Sequence, residues 1–171
     1  MNREELEALV EPHREALTRF VSMMVVSEAE DIVQEAISTA FRNAEKFQGR
    51  SKFSTWLYGI ALNLCRKYRR DRGRRAFTAP SGLLEKQPER RRSVLSSVIR
   101  HEAAGRLECA VERLPATLRE AFFLHYVDGM DYSEISLIIG VSEGTVRIRA
   151  FRARTLLREK LGNVVDTIWK T

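Results

Sequence analysis

Residues 131–161 read DYSEISLIIGVSEGTVRIRAFRARTLLREKL, and this stretch decides the fold. Asp131 and Glu134 form a capping box at the start of one short helix. Gly140 and Val141 make a tight turn, Ser142 caps a second helix, and that helix runs from about Glu143 to Leu161. Two short helices joined in this way are a helix-turn-helix. At about 100° per residue, the second helix gathers Val146, Ala150, Ala153, Leu157 and Leu161 on one side. Arg149 and Arg152 then fall on one flank, and Arg147, Arg154 and Arg158 on the other. No acid lies between Thr145 and Arg158, and Ile148 stands nearly opposite the apolar stripe. An isoleucine gains little there unless something covers it, such as a thymine methyl in a major groove. A capped basic helix after a glycine turn points to duplex DNA.

Working outward, apolar residues recur at spacings of three and four almost throughout, which predicts an all-helical protein. The helix-turn-helix belongs to a unit that begins near Ala103, breaks at Pro115, continues through LREAFFLHYV and turns at Asp128 and Gly129. Upstream, residues 74–102 are basic and contain Pro and Gly, as in KQPERRR, and read as a flexible linker. The first unit, residues 1–73, holds three helices. One covers about Arg3 to Val26 with a bend at Pro12. The second starts at a capping box in Ser27–Glu30 (SEAE) and runs to about Phe41. The third is capped by Ser54 and runs to about Arg70, with an apolar stripe of Leu57, Ile60, Ala61, Leu64 and Tyr68.

The chain has 171 residues and is 44% hydrophobic, enough for two small cores. Its formal charge of +6 favours a polyanionic partner. That excess is concentrated in Arg66–Arg75, where seven cations and one acid stand in ten residues. Five aromatics (Phe47, Phe53, Trp56, Tyr58, Tyr68) fall just before or within this cluster, and aromatics beside a positive groove suit single-stranded nucleic acid. For Phe53, Trp56 and Tyr68 a place in the core is the favoured reading. Gly59, Asn63, Arg66 and Arg70 form a stripe away from the apolar face, where Gly59 admits close approach and Asn63 has a base-reading side chain. Asp31, Gln34, Glu35 and Ser38 form a polar stripe on the second helix, either solvated or a docking face.

Other chemistry is poorly represented. Cys65 and Cys109 sit in apolar helical patterns and read as buried thiols of a reducing compartment, with no metal set. GxxxxGK[ST], HExxH and zinc-deaminase patterns are absent, and His13, His101 and His125 are scattered singly, so neither an enzyme nor a cofactor is expected. No stretch approaches the ~20 apolar residues of a membrane span, and the N-terminus lacks a signal-peptide apolar region.

EDIVQEAISTAF, FSTWLYGIALN, the basic run, and LPATLREAFFLHYVDGMDYSEISLIIGVSEGTVRIRAFRARTLLREKL together resemble the extracytoplasmic-function sigma factors of bacteria, over about residues 5 to 162. The resemblance implies sigma region 2 in residues 1–73 and sigma region 4 in 103–171. Core RNA polymerase and promoter DNA, both duplex and melted, would be the partners, and a cognate anti-sigma factor the inhibitor. No small-molecule substrate and no catalytic residue would be involved. The protein would be cytoplasmic, at the inner membrane face where that inhibitor is membrane-anchored. By this resemblance Asp31, Gln34, Glu35 and Ser38 would dock the polymerase. Phe47, Arg50, Ser51, Lys52, Phe53, Asn63, Arg66 and Arg70 would engage the minus-ten element. Ser142, Thr145, Arg147, Ile148, Arg149, Arg152 and Arg154 would engage the minus-thirty-five element. The chain departs from the family at Lys67, where an acid is usual, at Ile148, where Ser is usual, and at Ala150 and Phe151. A stand-alone helix-turn-helix regulator is the alternative, and it leaves FSTWLYGIALN and the basic run without a purpose.

Overall fold

A computed structural model of the chain describes residues 3–25, 27–78, 107 and 109–162. They belong to two compact units, Met1–Arg90 and Arg91–Thr171. Helices and turns build both, and no strand occurs among the described residues. The linker predicted over 74–102 lies mostly outside the described residues, as does the tail that carries Trp169.

In the first unit α1 (Arg3–Val10) leads through a 3-10 turn at Glu11–His13 into α2 (Arg14–Met24). Pro12 lacks the N–H that a continuous helix needs, and the bend expected there is present. Helix α3 spans Ala29–Arg42 and α4 spans Phe53–Thr78. Helices α2, α3 and α4 pack on one another, and α1 lies against α3. Leu17, Phe20 and Val21 of α2, Ala36 and Ala40 of α3, and Leu57, Ala61, Leu62 and Cys65 of α4 are fully enclosed. The rings of Phe20 and Tyr58 meet at 5.1 Å.

Four expectations are corrected here. No capping box forms at Ser27: the residue before α3 is Glu28, in the left-handed region at φ 63°, without a side-chain cap. Ser27 is drawn away by Tyr68, whose hydroxyl lies 2.8 Å from its Oγ, and by Arg72, which donates to Ser27 Oγ at 2.8 Å and to Tyr68 Oη at 3.0 Å. Ser54 is not a cap, since α4 already begins at Phe53. The buried stripe of α4 is Leu57, Tyr58, Ala61, Leu62 and Cys65; Ile60 and Leu64 sit half-buried on its edge because Tyr58, which buries more area, turns the helix toward α2. Helix α4 also continues past Arg70 through the basic run to Thr78, so the boundary drawn after Gly73 falls inside a helix. Arg and Lys are good helix formers, and charge alone does not end a helix.

In the second unit residues 109–112 are helical. Pro115 precedes α5 (Ala116–Phe122). Helix α5 runs on into a π turn at Phe123–Val127, marked by Asp128 N donating to the Phe123 carbonyl at 3.1 Å. Helix α6 spans Tyr132–Ile139 and α7 spans Glu143–Leu161. Both α5 and α6 pack on α7. The Arg119 guanidinium donates to the carbonyls of Glu112 and Leu114, tying the incoming segment to α5. Ala121, Leu124, Ile135, Val146, Ala150, Ala153 and Leu157 are fully enclosed. Cys65 is buried as expected, whereas Cys109 is exposed, since the buried face of its segment falls to Ala110, Val111 and Leu114.

Candidate nucleic-acid interface

The helix-turn-helix is built as its sequence dictates. Asp131 Oδ1 accepts from Glu134 N at 2.8 Å and Glu134 Oε2 accepts from Asp131 N at 3.3 Å, completing the capping box on α6. Gly140 ends α6 in the left-handed region at φ 78°. Ser142 Oγ accepts from Thr145 N at 3.3 Å and lies 3.0 Å from Thr145 Oγ1, which caps α7.

With Val146, Ala150, Ala153 and Leu157 buried against α5 and α6, α7 presents its other side to solvent. Ile148 is 53% exposed and Phe151 67% exposed, an apolar pair one turn apart on a basic helix. Arg147 and Arg152 are exposed, and Arg149 and Arg154 half-buried. The Arg147 guanidinium lies over the Tyr132 ring at 5.2 Å and that of Arg154 over the Tyr126 ring at 5.7 Å. Burial, aided by the neighbouring Tyr126, pushes the Tyr132 phenol up against the opposing pull of Arg147, so the ring stays neutral. Phe151 and the two tyrosines were not among the predicted contacts. A turn of about 100° per residue sets Phe151 away from the Val146 stripe, a signal that could have found it, whereas the tyrosines come into play only through tertiary packing.

In the first unit the candidate residues divide between two exposed faces. Asp31, Gln34, Glu35 and Ser38 all lie exposed along α3. Gln34 and Ser38 line an open groove of about 660 Å³ with Leu6, Val10, Ile37 and Phe41. Glu35 turns along its own helix to Arg42, 2.6 Å away, whose hydrogen bond and charge hold its carboxyl below the usual carboxylate range. Lys67 of α4 adds a smaller pull in the same direction.

On α4, Asn63 is exposed and Arg66 half-buried. Lys67, Arg70 and Arg74 continue the same face at steps of three and four, all exposed, so this face extends beyond the expected stripe. Gly59 lies at its head, and a Cβ there would meet nothing within 4 Å. Upstream, Arg50 and Lys52 are exposed and Ser51 half-buried. Phe47 is half-buried, its ring 5.5 Å from Phe53 and 5.3 Å from Trp56. Phe53 is 8% exposed, so it supports the other two rings from beneath. Among the described residues no cluster of His, Cys, Asp and Glu is placed to hold a metal ion, and no helix is long and apolar enough to cross a membrane.

Two family models match the chain: Sigma-70 region 2 over residues 9–75 and Sigma-70, region 4, over residues 104–157. The extracytoplasmic-function (ECF) RNA polymerase sigma-E factor of Escherichia coli K12 is 34% identical over 161 residues, covering 90% of this chain and 84% of that protein. The chain belongs to the ECF sigma factors. The RNA polymerase sigma-H factor of Pseudomonas aeruginosa PAO1 is 33% identical over 147 residues, covering 78% of this chain and 73% of its own. Among solved structures, the sigma factor RpoE of Bartonella quintana, in complex with the anti-sigma factor NepR, superposes with a TM-score of 0.81 at 26% identity, over 92% of this chain and 97% of that one. CnrH, in complex with the cytosolic domain of CnrY, shares the fold, with a TM-score of 0.68 at 24% identity over 92% and 88%. As an ECF sigma factor the chain is a transcription initiation factor and not an enzyme. The region 2 match takes in α3 and α4 as far as Arg75, and the region 4 match takes in the helix-turn-helix as far as Leu157.

Proposed function

We propose that the two units divide promoter recognition between them, with region 2 in residues 1–78 and region 4 in 103–171. One observation carries this reading. The α3–α4 bundle turns two unlike faces to solvent, a polar and acidic one at Asp31, Gln34 and Ser38 and a cationic one running from Asn63 to Arg74. A protein that must hold a macromolecular machine and a nucleic acid at once needs two such faces. Asp31, Gln34, Glu35 and Ser38 dock core RNA polymerase, with the groove beside Gln34 and Ser38 receiving an apolar edge of the partner. Phe47, backed by Phe53 and Trp56, stacks an unpaired base of the minus-ten element. Asn63 reads a base edge, Arg50, Ser51, Lys52, Arg66 and Arg70 follow the backbone of the melted strand, and Gly59 lets it pass close to the helix. In region 4, α7 enters the major groove of the minus-thirty-five element. Ser142, Thr145, Arg147 and Arg154 meet phosphates, Arg149 and Arg152 meet base edges or phosphates, and Ile148 with Phe151 offers apolar contact to thymine methyls. A cognate anti-sigma factor holds the chain inactive, as NepR pairs with RpoE. The protein works in the cytoplasm, at the inner membrane face whenever that inhibitor is anchored there.

The test is co-elution of the purified chain with bacterial core RNA polymerase, followed by transcription from a pool of genomic fragments. Stable association and new discrete start sites are expected. Failure to associate with active core enzyme, free of any inhibitor, together with binding of duplex DNA alone, would replace this reading by that of a stand-alone regulator.

A further inference from the structure

Beneath α7 lies a row of rings that the division of labour above does not use. Phe122, only 1% exposed, backs Tyr126 at 5.3 Å. Tyr126 meets His125 edge-on at 4.7 Å, and His125 stacks on Tyr132 at 4.3 Å and 29°. His125 Nδ1 donates to the Met130 carbonyl at 3.0 Å, which fixes the imidazole between the two phenols. The π turn at Phe123–Val127 sets His125 and Tyr126 side by side, and the first turn of α6 brings Tyr132 to them. Arg147 and Arg154 stand seven residues apart on one flank of α7, an axial separation of about 10.5 Å. Each arginine rests on the ring at its own end of the row, Arg147 on Tyr132 and Arg154 on Tyr126.

We propose that Tyr126, His125 and Tyr132 form a ledge of positioning residues that holds the Arg147 and Arg154 guanidiniums ready for duplex DNA. An arginine on a flexible stem loses rotamer freedom when it binds a phosphate, and one already seated on a ring has lost part of it beforehand. The ring occupies one face of each guanidinium, whereas the N–H donors lie in the guanidinium plane, so stacking on the ring does not itself consume them. This inference rests on the reading of α7 as the duplex-binding helix.

The test uses the full chain assembled with core RNA polymerase, on a duplex carrying the upstream element recovered in the transcription experiment. Dissociation constants and their salt slopes are measured alongside thermal melting. Tyr132→Phe keeps wild-type affinity, because the ring face is what matters. Tyr132→Leu and Tyr126→Leu each weaken binding about two- to fivefold. The salt slope is unchanged by the tyrosine substitutions but falls by about one for each of Arg147→Ala and Arg154→Ala. In the Arg147→Ala background, Tyr132→Leu costs nothing further. Pentafluorophenylalanine at position 132, which keeps the shape and cancels the negative ring face, weakens binding as Leu does and so decides the matter even if the leucine variant fails to fold. Equal losses with and without Arg147, or full affinity with the fluorinated ring, would overturn the ledge and leave the duplex reading standing. Unchanged affinity and slope in both arginine variants would instead remove these arginines from the DNA and the ledge with them.

Discussion

Gly59 shows how much one missing side chain reveals. It sits inside a 26-residue helix, where glycine costs about 1 kcal/mol relative to alanine. Packing does not demand it, since an added Cβ would meet nothing within 4 Å. Gly59→Ala is therefore expected to raise the unfolding free energy of the first unit by ~0.5–1 kcal/mol in chemical denaturation, while reducing open-complex formation on promoter DNA. A stabilised variant with full initiation activity would show that nothing passes close to this position. Asn63, Arg66 and Arg70 were legible from the sequence because helical spacing alone separates them from the apolar stripe. Lys67 and Arg74 were counted in the basic run but not placed on this face, because the third helix was expected to end near Arg70 and the linker to begin at Arg74. Phe53 illustrates the opposite limit, because helical spacing could not tell a base-stacking ring from the ring that supports it.

The joint between α2 and α3 shows why local signals mislead at the scale of elements. SEAE carries the pattern of a capping box, yet the box does not form. The Ser27 hydroxyl meets Tyr68 and Arg72, forty-one and forty-five residues away in sequence, and these bonds outcompete a local cap worth about 1 kcal/mol. In DYSE, by contrast, the box forms. Ser27→Ala removes both bonds and is expected to destabilise the first unit by about 1–2 kcal/mol, read from the denaturation midpoint. Tyr68→Phe should cost less when added to Ser27→Ala than when made alone. Strictly additive losses would mean that the Ser27, Tyr68 and Arg72 contacts are independent. Helix lengths had the same weakness: α4 runs to Thr78 because its cationic run is a good helix former, whereas loss of apolar periodicity had suggested an end near Arg70.

Across the whole molecule, the two proposed surfaces of region 2 and region 4 lie on separate compact units, so their losses should separate. Asp31→Lys with Gln34→Ala is expected to weaken association with core polymerase at least tenfold, while binding of duplex DNA by the free chain stays as it was. Arg149→Ala with Arg152→Ala should do the reverse, with a reduced salt slope for duplex binding. Parallel loss of both activities in either variant would mean that the assigned surfaces are not separate. The all-helical class and the two-unit division were legible because apolar periodicity and a charge-rich interruption are local properties of the chain. The aromatic ledge was not, since it depends on how a π turn is oriented against α6.

That π turn also bears on how the chain can change in length. A π turn holds more residues than the α-helical turn it replaces, and the Asp128-to-Phe123 hydrogen bond marks its place. Deleting one residue within Phe123–Val127 would let the segment relax to an ordinary α-helix while rotating its sides by about 100°. His125 and Tyr126 would then swing away from Tyr132 and from Arg154. In this part of the molecule a one-codon deletion is a different kind of change from a substitution: the helix can survive it, but the alignment of rings with arginines cannot.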